Sequence, residues 1–218
     1  MLTAWGRQHY ATFPWRAERD PFFALLAEVL LQRTRAAQVG PVYRDLKARF
    51  PTPAGMAASN KAAILQSIRS LGLAWRAATL LKLARALEES HGGRVPDGPA
   101  ALRSLPGVGP YAAAAYESFH RGRRAAIIDS NVVRLYGRLF GFPTHAETRR
   151  TKAMRELAEE LTPRRAFRDY NYALLDFTRE VCTPRPHCGA CPLRGRCCYY
   201  AGRGETPAKA AGRRGARQ

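Results

Sequence analysis

Apolar positions along this chain recur at helical spacing almost throughout, and no stretch alternates with period two over the length of a strand. The pattern predicts an all-α fold. Its densest part is Phe22 to Leu31, where every residue is apolar except Glu28. Asp20 offers an N-cap and Pro21 a first helical residue, so a helix is expected to start there. A helix that is apolar on all sides is a buried one, and a lone carboxylate inside it is costly unless it has a partner or a task. The polar segment Gln32-Arg33-Thr34-Arg35 closes it.

Ahead of this helix, Thr12 to Arg16 forms an aromatic lead-in stiffened by Pro14. Behind it, punctuation marks further helices. Pro41 is expected to open one reaching about Phe50, and Thr52-Pro53 the next. Asn60 caps a run to Leu71 that Gly72 ends, and Leu73 to Ser90 stops at Gly92-Gly93. Gly98-Pro99 begins a short helix leading into Leu105-Pro106-Gly107-Val108-Gly109-Pro110-Tyr111, after which an alanine-rich helix starts. Asp129-Ser130-Asn131 opens a helix to Phe140, and two more are expected at 146–161 and 165–181. No internal repeat is present. Residues 201–218 are rich in Gly, Arg and Ala without periodicity and read as a basic, disordered tail.

Charge changes the picture. The 218 residues hold 36 Lys and Arg against 17 Asp and Glu, a net charge of +19. Such an excess repels itself, and a polyanion is the usual partner that offsets it, which favours nucleic acid. The first ten residues lack a basic region followed by an apolar core, and no segment reaches membrane-spanning length, so a cytoplasmic protein is expected. Gly107 and Gly109 then gain interest. Glycines at i and i+2 allow positive φ, leave no Cβ in the way of an approaching group, and sit before first-turn amides that can hold an anion. On the glycines alone, a plain turn between antiparallel helices is a sufficient account.

Two carboxylates complicate that plain account. Asp129 is first of all a favourable helix cap. A capping carboxylate is also held ionised by amides and the helix dipole, which suits a group that must stay negative beside a developing cation. Glu28, in apolar surroundings, is expected to favour its protonated form, the simpler alternative being a buried Glu satisfied by an arginine. Carboxylates in opposed environments are what cleavage of a glycosidic bond uses.

All five cysteines lie between Cys182 and Cys198. In a reducing compartment such clustering argues for metal over disulfides. Cys182-x5-Cys188-x2-Cys191-x5-Cys197 has one close pair with two outliers, a spacing that suits a compact iron–sulfur cluster better than zinc. Cys198 follows directly and competes with Cys197 as fourth ligand. From Cys182 onward eight basic residues face one acidic residue, and Arg185, Arg194 and Arg196, held between the cysteines, are candidates for phosphate contact.

Taken together, Glu28 to Thr34, Gly92 to Pro96, Leu105 to Tyr111, Ile128 to Arg134, Tyr170 to Phe177 and the cysteine loop resemble, in order, the helix–hairpin–helix DNA glycosylase superfamily in its iron–sulfur branch. The resemblance covers nearly everything from Trp5 to Tyr200. It implies a two-domain fold: a six-helix barrel domain over residues 20–131, and a domain built from 1–19 and 132–200 that ends in a 4Fe–4S cluster held by Cys182, Cys188, Cys191 and Cys197. It implies a monomer acting on double-stranded DNA with a lesion or mismatch, associated with the nucleoid. Asp129 matches the catalytic aspartate, Asn131 its supporting residue and DNA contact, and Glu28 a general acid. Gly107 and Gly109 would hold a phosphate, and Gln32 and Arg33 would fill the gap left by the flipped nucleotide. Endonuclease III-like enzymes carry a lysine where this chain has Tyr111, and adenine glycosylases usually a small residue. The tyrosine implies a monofunctional enzyme of the thymine/uracil mismatch kind, with adenine excision or an endonuclease III-like lyase as alternatives. One departure is the first cysteine gap, x5 here and usually x6 in the family.

Overall fold

The computed structural model describes residues 1–202, and their regular structure is entirely helical. The tail expected at 201–218 therefore lies, from Arg203 on, outside the described residues. The helices are α1 (Leu2–His9), α2 (Pro21–Leu31), α3 (Ala36–Arg49), α4 (Pro53–Ala57), α5 (Lys61–Ile68), α6 (Trp75–His91), α7 (Pro99–Ser104), α8 (Pro110–Phe119), α9 (Ser130–Phe140), α10 (Lys152–Leu161), α11 (Phe167–Glu180) and α12 (Cys198–Ala201).

The starts expected from side chains are made by those side chains. Asp20 accepts from the amides of Phe22 and Phe23, Thr52 from Gly55, Asn60 from Ala63, and Asp129 from Asn131 and Val132. Gly72, Gly92 and Gly141 end their helices in the left-handed conformation. Two expectations fail, and one helix was not anticipated. α3 begins at Ala36 and carries Pro41 inside it, because Val39, fully buried, must face the core and that burial outweighs one lost helical hydrogen bond. α10 begins at Lys152 rather than Ala146, since Thr151 caps it through Met154 N. The unanticipated helix is α1, whose apolar face is only Leu2 and Trp5. It exists because Gly6 lets it cross α11 closely: a Cβ there would sit 2.6 Å from Ala173 Cβ.

α2 is the axis of the first core, with Phe22 through Val29 and Leu30 all buried. Around it pack α3, α5, α6 and the hairpin formed by α7 and α8. Truncating Leu26, which is fully buried, to Ala would cost about 2–5 kcal/mol. A second core gathers Ala115 and Phe119 from α8, Val132, Val133, Leu135 and Tyr136 from α9, Leu174 and Phe177 from α11, and Cys182, with Leu2 and Trp5 packed against it. α8 contributes to both cores, so the glycine hairpin that precedes it stands where they meet.

Candidate active site

Between the cores, three acidic or phenolic groups converge. Glu28 sits on α2 with its side chain 3% exposed, Oε1 lying 3.5 Å from His120 Nε2 at the end of α8. Its Oε2 has no partner. The neighbour is thus a histidine and not the arginine that the sequence left open. Tyr111, in the first turn of α8, has its phenol pushed well above the ordinary value by burial, then by the charges of Glu28 and Asp129, against an opposing pull from Arg16. It stays protonated in a field set by both carboxylates.

Asp129 caps α9 and accepts three hydrogen bonds, which leaves one acceptor site on Oδ2. Oδ1 accepts from Asn131 N at 2.9 Å and Val132 N at 2.7 Å, and Oδ2 from Asn131 Nδ2 at 2.7 Å. Asn131 is held in turn: its Oδ1 accepts from Arg134 at 2.8 Å, and Arg134 donates onward to Thr178 O and Cys182 O. A continuous chain of hydrogen bonds therefore runs from the carboxylate to the first cysteine.

The hairpin behaves differently at its two glycines. Gly107 has φ of 81°, and a Cβ there would lie 2.5 Å from Thr79 Cγ2, so no other residue fits. Gly109 does not take positive φ. It is extended at −84°, and what it offers is open space where a Cβ would be. Pro110 has no amide, so Tyr111 and Ala112 supply the first-turn N–H groups that lack intrahelical partners. Gln32 Nε2 donates to Gly107 O at 2.7 Å, tying the loop after α2 to the hairpin. Next to it, exposed Arg33 is left-handed with φ of 57°. Arg76 holds that strained loop. Fully buried, its guanidinium donates to Leu30 O, Gln32 O and Thr34 Oγ1. Burial, followed by the charge of Arg33, lowers its pKa.

Cys182, Cys188, Cys191 and Cys197 line one largely apolar cavity with Leu135, Val181 and Leu193. Burial raises the Cys191 thiol, with the other three thiols adding to the rise against a backbone hydrogen bond at Leu193. Cys198 is exposed and turned toward Gly141, outside that lining. Among the described residues, no three His, Cys, Asp or Glu side chains converge tightly enough to hold a single metal ion. The thiols surround a volume rather than a point, a donor set that fits a polynuclear group. Arg138 donates to Cys182 Sγ at 3.6 Å. Arg185, Arg194 and Arg196 are exposed beside this loop.

A family model described as "HhH-GPD superfamily base excision DNA repair protein" matches residues 26–164, a span that holds Glu28, the hairpin and Asp129. The chain belongs to this superfamily. It is 38% identical to a thymine/uracil-DNA glycosylase of Methanothermobacter thermautotrophicus, over 92% of this chain and 91% of that one. An adenine DNA glycosylase of Mycobacterium tuberculosis is 33% identical over 98% of this chain and 71% of its own length. Among solved structures, a thermostable thymine-DNA glycosylase superposes with a TM-score of 0.86 at 36% identity, covering 92% of this chain and 94% of that one. A trapped endonuclease III–DNA covalent intermediate superposes at 0.82 and 27%, covering 93% of each.

The sequence did not single out Arg76, His120 or Arg134. Arg76 had a signal: with Leu80, Leu83 and Leu87 it falls on the core stripe of α6, where a buried charge needs hydrogen-bond partners. His120 had none, for nothing in its local pattern distinguishes a helix-end histidine from a solvated one.

Proposed function

We propose that this chain is a monofunctional DNA glycosylase of base excision repair, which turns a uracil or thymine opposite guanine out of duplex DNA and hydrolyses its N-glycosidic bond. The observation that carries the reading is Asp129, fixed in place by three hydrogen-bond donors and sharing its field with a protonated Tyr111 and a buried Glu28. As the glycosidic bond breaks, positive charge grows on the sugar. A fixed carboxylate stabilises it or directs water to it without reorganising. Glu28 faces the departing base, and Tyr111 fills the pocket wall. A lyase needs an amine there. Among the described residues, Lys47 is engaged with Glu18, while Lys61, Lys82 and Lys152 are exposed.

Duplex DNA, in this reading, crosses the hairpin, its phosphate held by the amides after Gly109 and made accessible by the missing Cβ there. Gln32 and Arg33 enter the space the flipped nucleotide leaves, on a loop that Arg76 keeps rigid. Arg185, Arg194 and Arg196 bind further phosphates. Residues 20–131 and the discontinuous 1–19 with 132–200 act as two units, each built mainly on one hydrophobic core, with Trp15 crossing into the first core and Ala115, Phe119 and Ile127 into the second. Cys182, Cys188, Cys191 and Cys197 would hold a 4Fe–4S cluster, whose contribution is to bind the loop of residues 182–197 into one shape. Arg134 then joins that loop to Asn131 and so to Asp129.

A panel of duplexes tests this: uracil, thymine and adenine opposite guanine, adenine opposite oxidised guanine, and oxidised pyrimidines, each with and without borohydride. Release of uracil and thymine opposite guanine without a covalent adduct is expected. Exclusive release of adenine, or a strong borohydride adduct, would overturn the reading.

A further inference from the structure

His120 is the buried group that this mechanism leaves unused. Its side chain is 4% exposed, and neither ring nitrogen has a hydrogen-bond partner. Glu28 Oε2, nearby, has none either. Nitrogens and carboxylate oxygens buried without partners are costly, and proteins retain them where something else completes the bonds. The imidazole is boxed by aromatic rings: Phe119 edge-on at 6.5 Å, Tyr116 at 5.7 Å, and beyond Phe119 the stacked ring of Tyr172 at 4.2 Å.

We propose that His120 and Glu28 form a proton-sharing pair that faces the extrahelical base, His120 being the positioning residue that orients the Glu28 carboxyl group. The inference rests on the glycosylase reading and deepens it. Two groups at 3.5 Å with their outer atoms free can exchange one proton and still present one donor and one acceptor to a ligand. When the bond between C1′ and the base nitrogen breaks, its electron pair goes to the base and a proton of the pair follows to a base heteroatom. Water adds to C1′, its proton passes to Asp129, and solvent restores both groups. The other ionisable groups around the pair are Tyr111, Tyr116 and Glu117 on α8, Arg121 just after it, Tyr172 and Arg168 on α11, Arg16, and Asp129 across Tyr111. The tyrosines are held protonated by burial.

His120→Gln keeps a donor and loses the titrating proton. Single-turnover excision in native protein should fall as pH rises through neutrality, and the variant should be slower by ~10²-fold at pH 6 with that limb flattened. A native-like profile in a folded His120→Gln protein would overturn the proposal. NMR of the imidazole in free protein provides a second arm that needs no substrate. The His120 midpoint should fall in Glu28→Gln, because the neighbouring carboxylate favours the imidazolium. A midpoint indifferent to Glu28 would overturn the pair even if excision is robust. A shifted midpoint in protein that excises no base would instead fault the glycosylase reading.

Discussion

Replacing Asp129 by Asn removes charge from the site while leaving most of the shape. Asparagine caps helices as well as aspartate, so the amides of Asn131 and Val132, at 2.9 and 2.7 Å, keep their acceptor. The other position fares worse. A new Nδ2 would face Asn131 Nδ2 where Oδ2 now accepts at 2.7 Å, and Asn131 cannot turn over because its Oδ1 accepts from Arg134 at 2.8 Å. Losing that bond and the charge at the N-terminus of α9 should cost about 1–2 kcal/mol. At roughly 2–4 °C per kcal/mol for a chain of this size, melting falls by a few degrees. The chemical step should lose far more, ~10³-fold or about 4 kcal/mol. Asp129→Ser, which caps the helix without a second amide, controls for the clash: the same loss of rate with a smaller change in melting. Single-turnover excision of uracil opposite guanine, alongside duplex binding and thermal melts, measures all three quantities. A rate within tenfold of native in either variant would reduce Asp129 to a helix cap and refute the mechanism.

Anaerobically prepared protein should contain iron and absorb broadly near ~400 nm. Cys197→Ser should lower the iron content while Cys198→Ser leaves it unchanged, and stoichiometric zinc without iron would refute the cluster. Neutralising Arg185, Arg194 and Arg196 together should reduce the dependence of duplex binding on salt by about one unit of log–log slope for each phosphate that is no longer paired, with base preference unchanged. An unaltered slope would remove these arginines from the interface. Burial alone would raise Glu18, yet hydrogen bonds from Lys47 and Tyr43 and the amide of Asp20 hold it at about 2, below its ordinary 4.5. A depressed carboxylate stabilises the fold above its unfolded value and loses that contribution as pH falls through the folded one. Melting points of native and Glu18→Gln protein should therefore differ at pH 7 and converge between pH 4.5 and about 2. A constant difference across that window would show the carboxylate's charge to be irrelevant.

What the sequence determined by itself was whatever a few neighbouring residues decide. Helical periodicity, the caps at Asp20, Asn60 and Asp129, and the left-handed stops at Gly72 and Gly92 all read correctly, because capping and propensity act over three or four residues. Glu28 stood out for the same reason: one charge in an apolar run is a local anomaly. Tertiary structure decided what each anomaly meets. It gave Glu28 a histidine from the end of α8, and it carried Pro41 into α3 because Val39 had to be buried. It also gave Arg76 the carbonyls of a loop 44 and 46 residues away, and turned Cys197 into the cavity while Cys198 faced Gly141. Partners of this kind are chosen by how helices cross, and a crossing depends on the volumes and close approaches of two distant faces at once, as Gly6 and Ala173 do for α1 and α11. No window of sequence contains both faces.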